Sequence, residues 1–116
     1  MVKNMGEISM LFDFYGDLLT DRQKMVLDYY YGDDYTLSEI AEYAGISRQA
    51  VHDTVHKAEK ALRSYESVLG LVSRYKKTSE DIRTASGILE RVMEDMDDEA
   101  IRERLSSVRE ILNGLE

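Results

Sequence analysis

The chain has no cysteine and no proline. Without cysteine, disulfides and thiolate metal sites are excluded, and the redox compartment is left open. Without proline the commonest helix breaker is missing, which suits a largely helical chain. Long apolar runs are missing too. The central stretch SVLGLVS is far too short to cross a bilayer, so no membrane insertion is expected. The opening MVKNMGEISM carries Glu7 ahead of any apolar core and does not read as a signal peptide, so a cytoplasmic protein is expected. An excess of positive charge is also lacking: 15 lysines and arginines face 23 aspartates and glutamates, for a net charge of −8. That argues against broad, sequence-blind nucleic-acid binding, but it permits a local basic face. Residues 47–65 hold Arg48, Lys57, Lys60 and Arg63 against Asp53 and Glu59, a net +2 that leaves −10 for the remainder.

What is present is helical periodicity. At 116 residues the chain suits one domain with an extension, divided into residues 1–66 and 67–116. The run Thr36–Leu62 predicts a helix, a glycine turn and a second helix. Leu37, Ile40, Ala41 and Ala44 recur at helical spacing, and Gly45 stands where a tight turn needs positive φ. Ile46 plugs the corner, and Ser47 caps a new helix carrying Val51 and Val55 inward. The small side chain of Ala41 lets the two helices cross closely.

Upstream, Ile8, Leu11, Phe12, Tyr15 and Leu18 predict one inward face on a helix from about Gly6 to Leu18. Thr20 with Gln23, and Thr36 with Glu39, form capping boxes that start the next two helices. The first of these carries Val26, Leu27 and Tyr30 inward and stops at Gly32, before the turn-forming pair Asp33-Asp34. Downstream, Val51, Val55, Ala58, Leu62, Tyr65, Leu69 and Val72 make a heptad seam, predicting one long helix to about Tyr75. Two more stripes follow: Ile82, Ala85, Leu89, Val92 and Met96, then Ile101, Leu105, Val108, Leu112 and Leu115. Thr78-Ser79 and Asp97-Asp98 are their expected N-caps. The stripes suit either an intrachain antiparallel hairpin or a homodimer seam.

The chemistry-bearing positions are few. At the start of the second motif helix, Ser47, Arg48, Gln49, His52 and Asp53 are placed to face base edges, where arginine suits guanine and glutamine suits adenine. His56, Lys57 and Lys60 follow as phosphate contacts. The plainer alternative is that these residues solvate the outer face of a packed helix. His52-Asp-Thr-Val-His56 resembles the HExxH zinc signature, but its carboxylate is one methylene short and no third ligand is signalled, so no metal is expected. Tyr29, Tyr30 and Tyr31, with Tyr35 and Tyr43, do not predict a base-stacking platform, because three consecutive helical positions point three ways. The stretch EDMDDE lacks the central glycine of a calcium loop and reads as a solvated helix junction. No phosphate loop, nucleophile elbow or paired-carboxylate site is present, so neither enzyme activity nor a cofactor is expected.

From Leu19 to Leu62 the chain resembles region 4 of bacterial sigma factors, through LTDRQKMVLDYYYG and TLSEIAEYAGISRQAV. No segment resembles the sigma region that melts promoters. A closer resemblance is to the YlxM-like family of small helix-turn-helix proteins. It is carried by Leu11-Phe-Asp-Phe-Tyr15, Leu18-Leu-Thr20, Arg22-Gln-Lys24, Tyr30-Tyr31, Asp34 with Glu39-Ile-Ala41, Ser47-Arg-Gln-Ala-Val51, Asp53, Glu59-Lys60 and Tyr65-Glu66. It covers roughly Ser9 to Tyr75. One departure from the general DNA-reading motif is Thr54, which stands where many such helices are apolar, with Val55 taking the inward role.

The resemblance implies an accessory or regulatory protein of the signal recognition particle pathway, with that particle's RNA or its GTPase as partner. The expected architecture is all-α: a sigma region 4-like helix-turn-helix domain whose long recognition helix continues into a C-terminal helical bundle or coiled-coil extension. Two alternatives remain open. One is a transcriptional regulator reading duplex DNA through the same helix. The other is a protein-interaction bundle that homodimerises through its heptad helices.

Overall fold

The computed structural model describes the backbone of residues 2–116 and the side chains from Gly6 onward; the side chains of residues 1–5, in the opening stretch considered above for a signal peptide, lie outside the described residues. Among the described residues the regular structure is entirely helical. The six α-helices are α1 (Val2–Tyr15), α2 (Asp21–Leu27), α3 (Leu37–Ala44), α4 (Arg48–Leu69), α5 (Leu71–Glu94) and α6 (Glu99–Gly114). The chain forms two compact units, residues 1–72 and 73–116.

In the first unit, α1, α2 and α3 all pack on α4. The spine works because Val51, Val55, Ala58 and Leu62 are buried at intervals of four, three and four, making one continuous stripe along α4. Ile8, Leu11 and Tyr15 meet that core from α1, Val26 and Leu27 from α2, and Ile40 and Ala41 from α3. α1 ends earlier than its apolar spacing implies, because a 3₁₀ turn occupies Gly16–Leu18. Leu18, expected inside, is 54% exposed, and Leu19, extended at φ −78°, ψ 161° just past the turn, is buried in its place.

Both capping boxes form. Thr20 Oγ1 accepts from the Gln23 N–H and Gln23 Oε1 accepts from the Thr20 N–H, each at 3.2 Å. Thr36 and Glu39 repeat the exchange at 3.1 Å. Between these helices a π-helical turn, Asp28–Gly32, follows α2 and leaves Tyr29, Tyr30 and Tyr31 half-buried.

The long helix predicted to reach Tyr75 stops at Leu69. Gly70 takes the left-handed conformation at φ +63°, and its N–H donates to the Glu66 carbonyl at 2.8 Å. The break is stabilised from a distance. Tyr15 Oη donates to Glu66 Oε1 at 2.6 Å and accepts from the Leu71 N–H at 3.0 Å, while the Val72 N–H donates to the same Glu66 oxygen at 3.0 Å. Two of the orphan N–H groups at the start of α5 are thus satisfied by side chains of α1 and α4. Burial and the Glu66 carboxylate together raise the Tyr15 phenol above its ordinary pKa.

The second unit is an antiparallel hairpin of α5 and α6. Ser86 Oγ reaches Asn113 Oδ1 at 3.5 Å and Arg83 Nε donates to Glu116 Oε1 at 2.8 Å, so three steps along α5 retrace three along α6. Asp98 caps α6 as expected, its Oδ1 accepting from the Ala100 and Ile101 N–H groups. Thr78-Ser79 does not start a helix. α5 runs through it unbroken, since the left-handed residue that interrupts the chain is Gly70. Of the predicted stripes, Ile82 is buried and Ala85, Leu89, Met96, Leu105 and Leu112 are half-buried, while Val92, Ile101, Val108 and Leu115 remain exposed. No helix among the described residues is long and apolar enough to cross a membrane.

Candidate nucleic-acid interface

The turn between α3 and α4 is built from its own residues. Gly45 adopts φ +71°, and the Ile46 N–H donates to the Ala41 carbonyl at 3.1 Å, closing α3. Ser47 is extended at φ −72°, ψ 155°, and its Oγ accepts from the Ala50 N–H at 3.0 Å, opening α4. The serine hydroxyl is therefore engaged as an acceptor in the cap, with its O–H left to donate outward.

All eight residues singled out from sequence, Ser47, Arg48, Gln49, His52, Asp53, His56, Lys57 and Lys60, are exposed. At about 100° per residue, Gln49, Asp53, His56 and Lys60 fall within roughly 60° of one another, on the side of α4 away from its buried stripe. Several are engaged with each other one turn apart. Gln49 Nε2 donates to Asp53 Oδ1 at 3.0 Å, and the Nε2 atoms of His52 and His56 are 3.0 Å apart. Arg48, Lys57 and Lys60 form no ion pair among the described residues, so their charge is available to an incoming anion. Thr54 turns its hydroxyl back to the Ala50 carbonyl at 2.8 Å and is half-buried, which accommodates a polar residue at the helix flank.

Sequence spacing did not reveal a groove that joins α4 to the start of α2, lined by Thr20, Arg22, Gln23, Ala50, Asp53, Thr54 and Lys57. It adds Arg22 to the candidate surface. No periodicity links positions about thirty residues apart; only the packing of α2 on α4 does. Of the neighbouring cation Lys24, by contrast, the charge is taken by Asp17.

The tyrosines form clusters and no flat platform. Tyr29 stacks on Tyr35 at 5.1 Å between ring centroids and tilts against Tyr43 at 4.9 Å, while Tyr30 and Tyr31 meet edge to face at 5.0 Å. A hydrogen bond with Tyr43 and then burial push the Tyr29 phenol up to about 12. Burial, followed by the neighbouring Glu59 carboxylate, raises Tyr31 as well. Among the described residues, no group of three or more His, Cys, Asp and Glu gathers as metal ligands would.

Two short-linked helices turning on a left-handed glycine, the second carrying an exposed polar face over a buried apolar one, define a helix-turn-helix protein. The chain belongs to the UPF0122 family, whose model, described as "Putative helix-turn-helix protein, YlxM / p13 like", matches residues 2–106. It is 44% identical over 89 residues to a UPF0122 protein of Desulforamulus reducens, covering 77% of this chain and 76% of that one. It is 40% identical over 109 residues to one from Halalkalibacterium halodurans, covering 94% of each. With one from Symbiobacterium thermophilum it shares 37% identity over 114 residues, covering 98% of this chain and 96% of the relative.

Proposed function

We propose that the exposed face of α4, from Ser47 to Lys60 and flanked by Arg22, is a nucleic-acid contact surface. On this reading the chain is a non-enzymatic accessory protein of the signal recognition particle pathway, working in the cytoplasm with that particle's RNA or GTPase as partner. The supporting observation is the separation of roles on α4: every candidate contact residue is exposed while Val51, Val55, Ala58 and Leu62 anchor the opposite stripe. The resemblance carried by LFDFY and SRQAV supports the pathway, and the acidic balance of the remainder favours a selective partner over general DNA binding. The test is titration of the purified chain against the particle's RNA, its GTPase and random duplex DNA at several salt concentrations. Binding only to duplex DNA, with a steep salt slope, overturns the pathway reading in favour of a transcriptional regulator. The Arg48→Ala variant is expected to bind the preferred nucleic acid at least several-fold more weakly while its stability stays within about 0.5 kcal/mol, since the side chain is exposed. Unchanged binding moves the site elsewhere.

The α5–α6 hairpin favours a second role. Ile88, Val92, Ile101, Val108, Ile111 and Leu115 are each more than 40% exposed, more apolar surface than a two-helix unit needs to show to water. Pairing with a second copy would cover it. Sedimentation of the intact chain across a concentration series tests this, and a monomer throughout refutes it.

A further inference from the structure

The chain holds two histidines, His52 and His56, and the fold brings them together on the exposed side of α4. Their Nε2 atoms face one another at 3.0 Å, with ring centroids 4.3 Å apart. Asp53 Oδ1 stands 3.7 Å from His52 Nδ1. That is too long for a hydrogen bond, so the carboxylate flanks the ring without fixing its tautomer. Asp53 is itself held in place by Gln49, which keeps a carboxylate beside the pair.

We propose that His52 and His56 form an open two-nitrogen chelate for a divalent first-row transition ion on the outer face of α4. Imidazole nitrogens bind such ions at about 2.0–2.1 Å. A separation of 3.0 Å then corresponds to an angle of about 91–97° at the metal, near the cis angle of tetragonal and octahedral ions. Ni²⁺ and Cu²⁺ fit with little side-chain movement, whereas tetrahedral Zn²⁺ needs the nitrogens about 3.3 Å apart. In the metal-free pair, one Nε2–H donates to the other Nε2. On binding, that proton leaves Nε2 and the ring is reprotonated at Nδ1, so both imidazoles remain neutral and the helix face gains the charge of the ion. No third protein ligand joins the pair among the described residues, and water or an anion completes the coordination. This differs from the hydrolase that the HDTVH spacing superficially suggests, because a chelate needs two donors and no catalytic carboxylate. It is also independent of whether the same face meets nucleic acid.

The test is calorimetric titration of the untagged, full-length chain with Cu²⁺ and with Ni²⁺ at neutral pH. The expected result is one ion per chain, Cu²⁺ bound more tightly than Ni²⁺, and at least a tenfold loss of affinity in His52→Gln and in His56→Gln. A third chain, carrying His56→Lys together with Lys57→His, keeps both imidazoles and the composition but breaks the one-turn spacing; it is expected to bind as weakly as the single variants. All three positions are exposed, so helical circular dichroism is expected to be unchanged and separates a lost ligand from a lost fold. Wild-type affinity in the swapped chain or in either single variant overturns the chelate. So does a wild-type chain that binds neither ion more tightly than the chain lacking both histidines.

Discussion

Replacing Gly70 with alanine gives opposite signs under two descriptions of the same segment. If α4 continued into α5 as one helix, as the heptad from Val51 to Val72 suggests, the change would stabilise the chain by up to about 1 kcal/mol through helix propensity. In the structure Gly70 instead sits at φ +63°. A Cβ there meets nothing within 4 Å, so the cost is purely conformational: about 1–2 kcal/mol for an L-residue in the left-handed region, partly offset by the stiffer unfolded chain. A net loss of about 1 kcal/mol follows, read as a fall of roughly 0.5–1 M in the urea midpoint at unchanged slope. Gly70→Asn should fall between, since asparagine tolerates the left-handed region better. The predicted order of stability is Gly, Asn, Ala. In a continuous helix the order is Ala, Asn, Gly. An alanine variant with a raised midpoint refutes the break and, with it, the role of Tyr15 and Glu66 in starting α5.

Other outcomes follow from the same geometry. Leu62 is fully buried where α1 and α4 meet the core, so Leu62→Ala should cost about 2–5 kcal/mol and lower the melting temperature by roughly 10 °C or more. Tyr29, with its phenol at about 12, should resist ionisation in an alkaline tyrosinate-absorbance titration. Its protonated form favours folding fully below pH 10, a contribution lost as the pH rises from about 10 to 12, and Tyr43→Phe should lower the Tyr29 transition because that hydrogen bond is its largest cause. If the nucleic-acid surface is limited to Arg22, Arg48, Lys57 and Lys60, at most about four phosphates are neutralised, and the log–log salt slope on duplex should be no steeper than roughly −3.6. A slope near roughly −6 would place further cations in the interface.

Features governed by neighbours along the chain are legible in the amino-acid sequence. The two capping boxes, the left-handed Gly45, the Ser47 cap and the buried Val51–Leu62 stripe each depend on residues within about one or two helical turns. The failures have longer reach. The Leu18-for-Leu19 exchange follows from the end of the helix at a short turn and the extended Leu19 after it, which stop the helical spacing without a break in the apolar pattern. The stop at Leu69 is hidden because Val72 keeps the heptad spacing across Gly70. Spacing alone cannot distinguish a helix that continues from two helices sharing a register. The groups that secure the break, Tyr15 and Glu66, lie 51 residues apart, and no local pattern pairs them. For the candidate surface, the exposed α4 face could be anticipated as the complement of the apolar stripe. Arg22 could not, because its place beside Asp53 and Lys57 depends on how α2 packs.

The distribution of charge bears on how such a surface would be used. A net +2 over residues 47–65 against −10 elsewhere supplies little total attraction for a polyanion. The acidic remainder opposes approaches that bring other faces toward phosphate, within a screening distance of about 8–10 Å. Electrostatics therefore select orientation more than they raise affinity. The selected orientation leads with the exposed side of α4 that carries Arg48, Lys57 and Lys60. Tight engagement then has to come from hydrogen bonds and shape at that helix face, so single neutral substitutions at Gln49 should discriminate among partners more sharply than changes in ionic strength do.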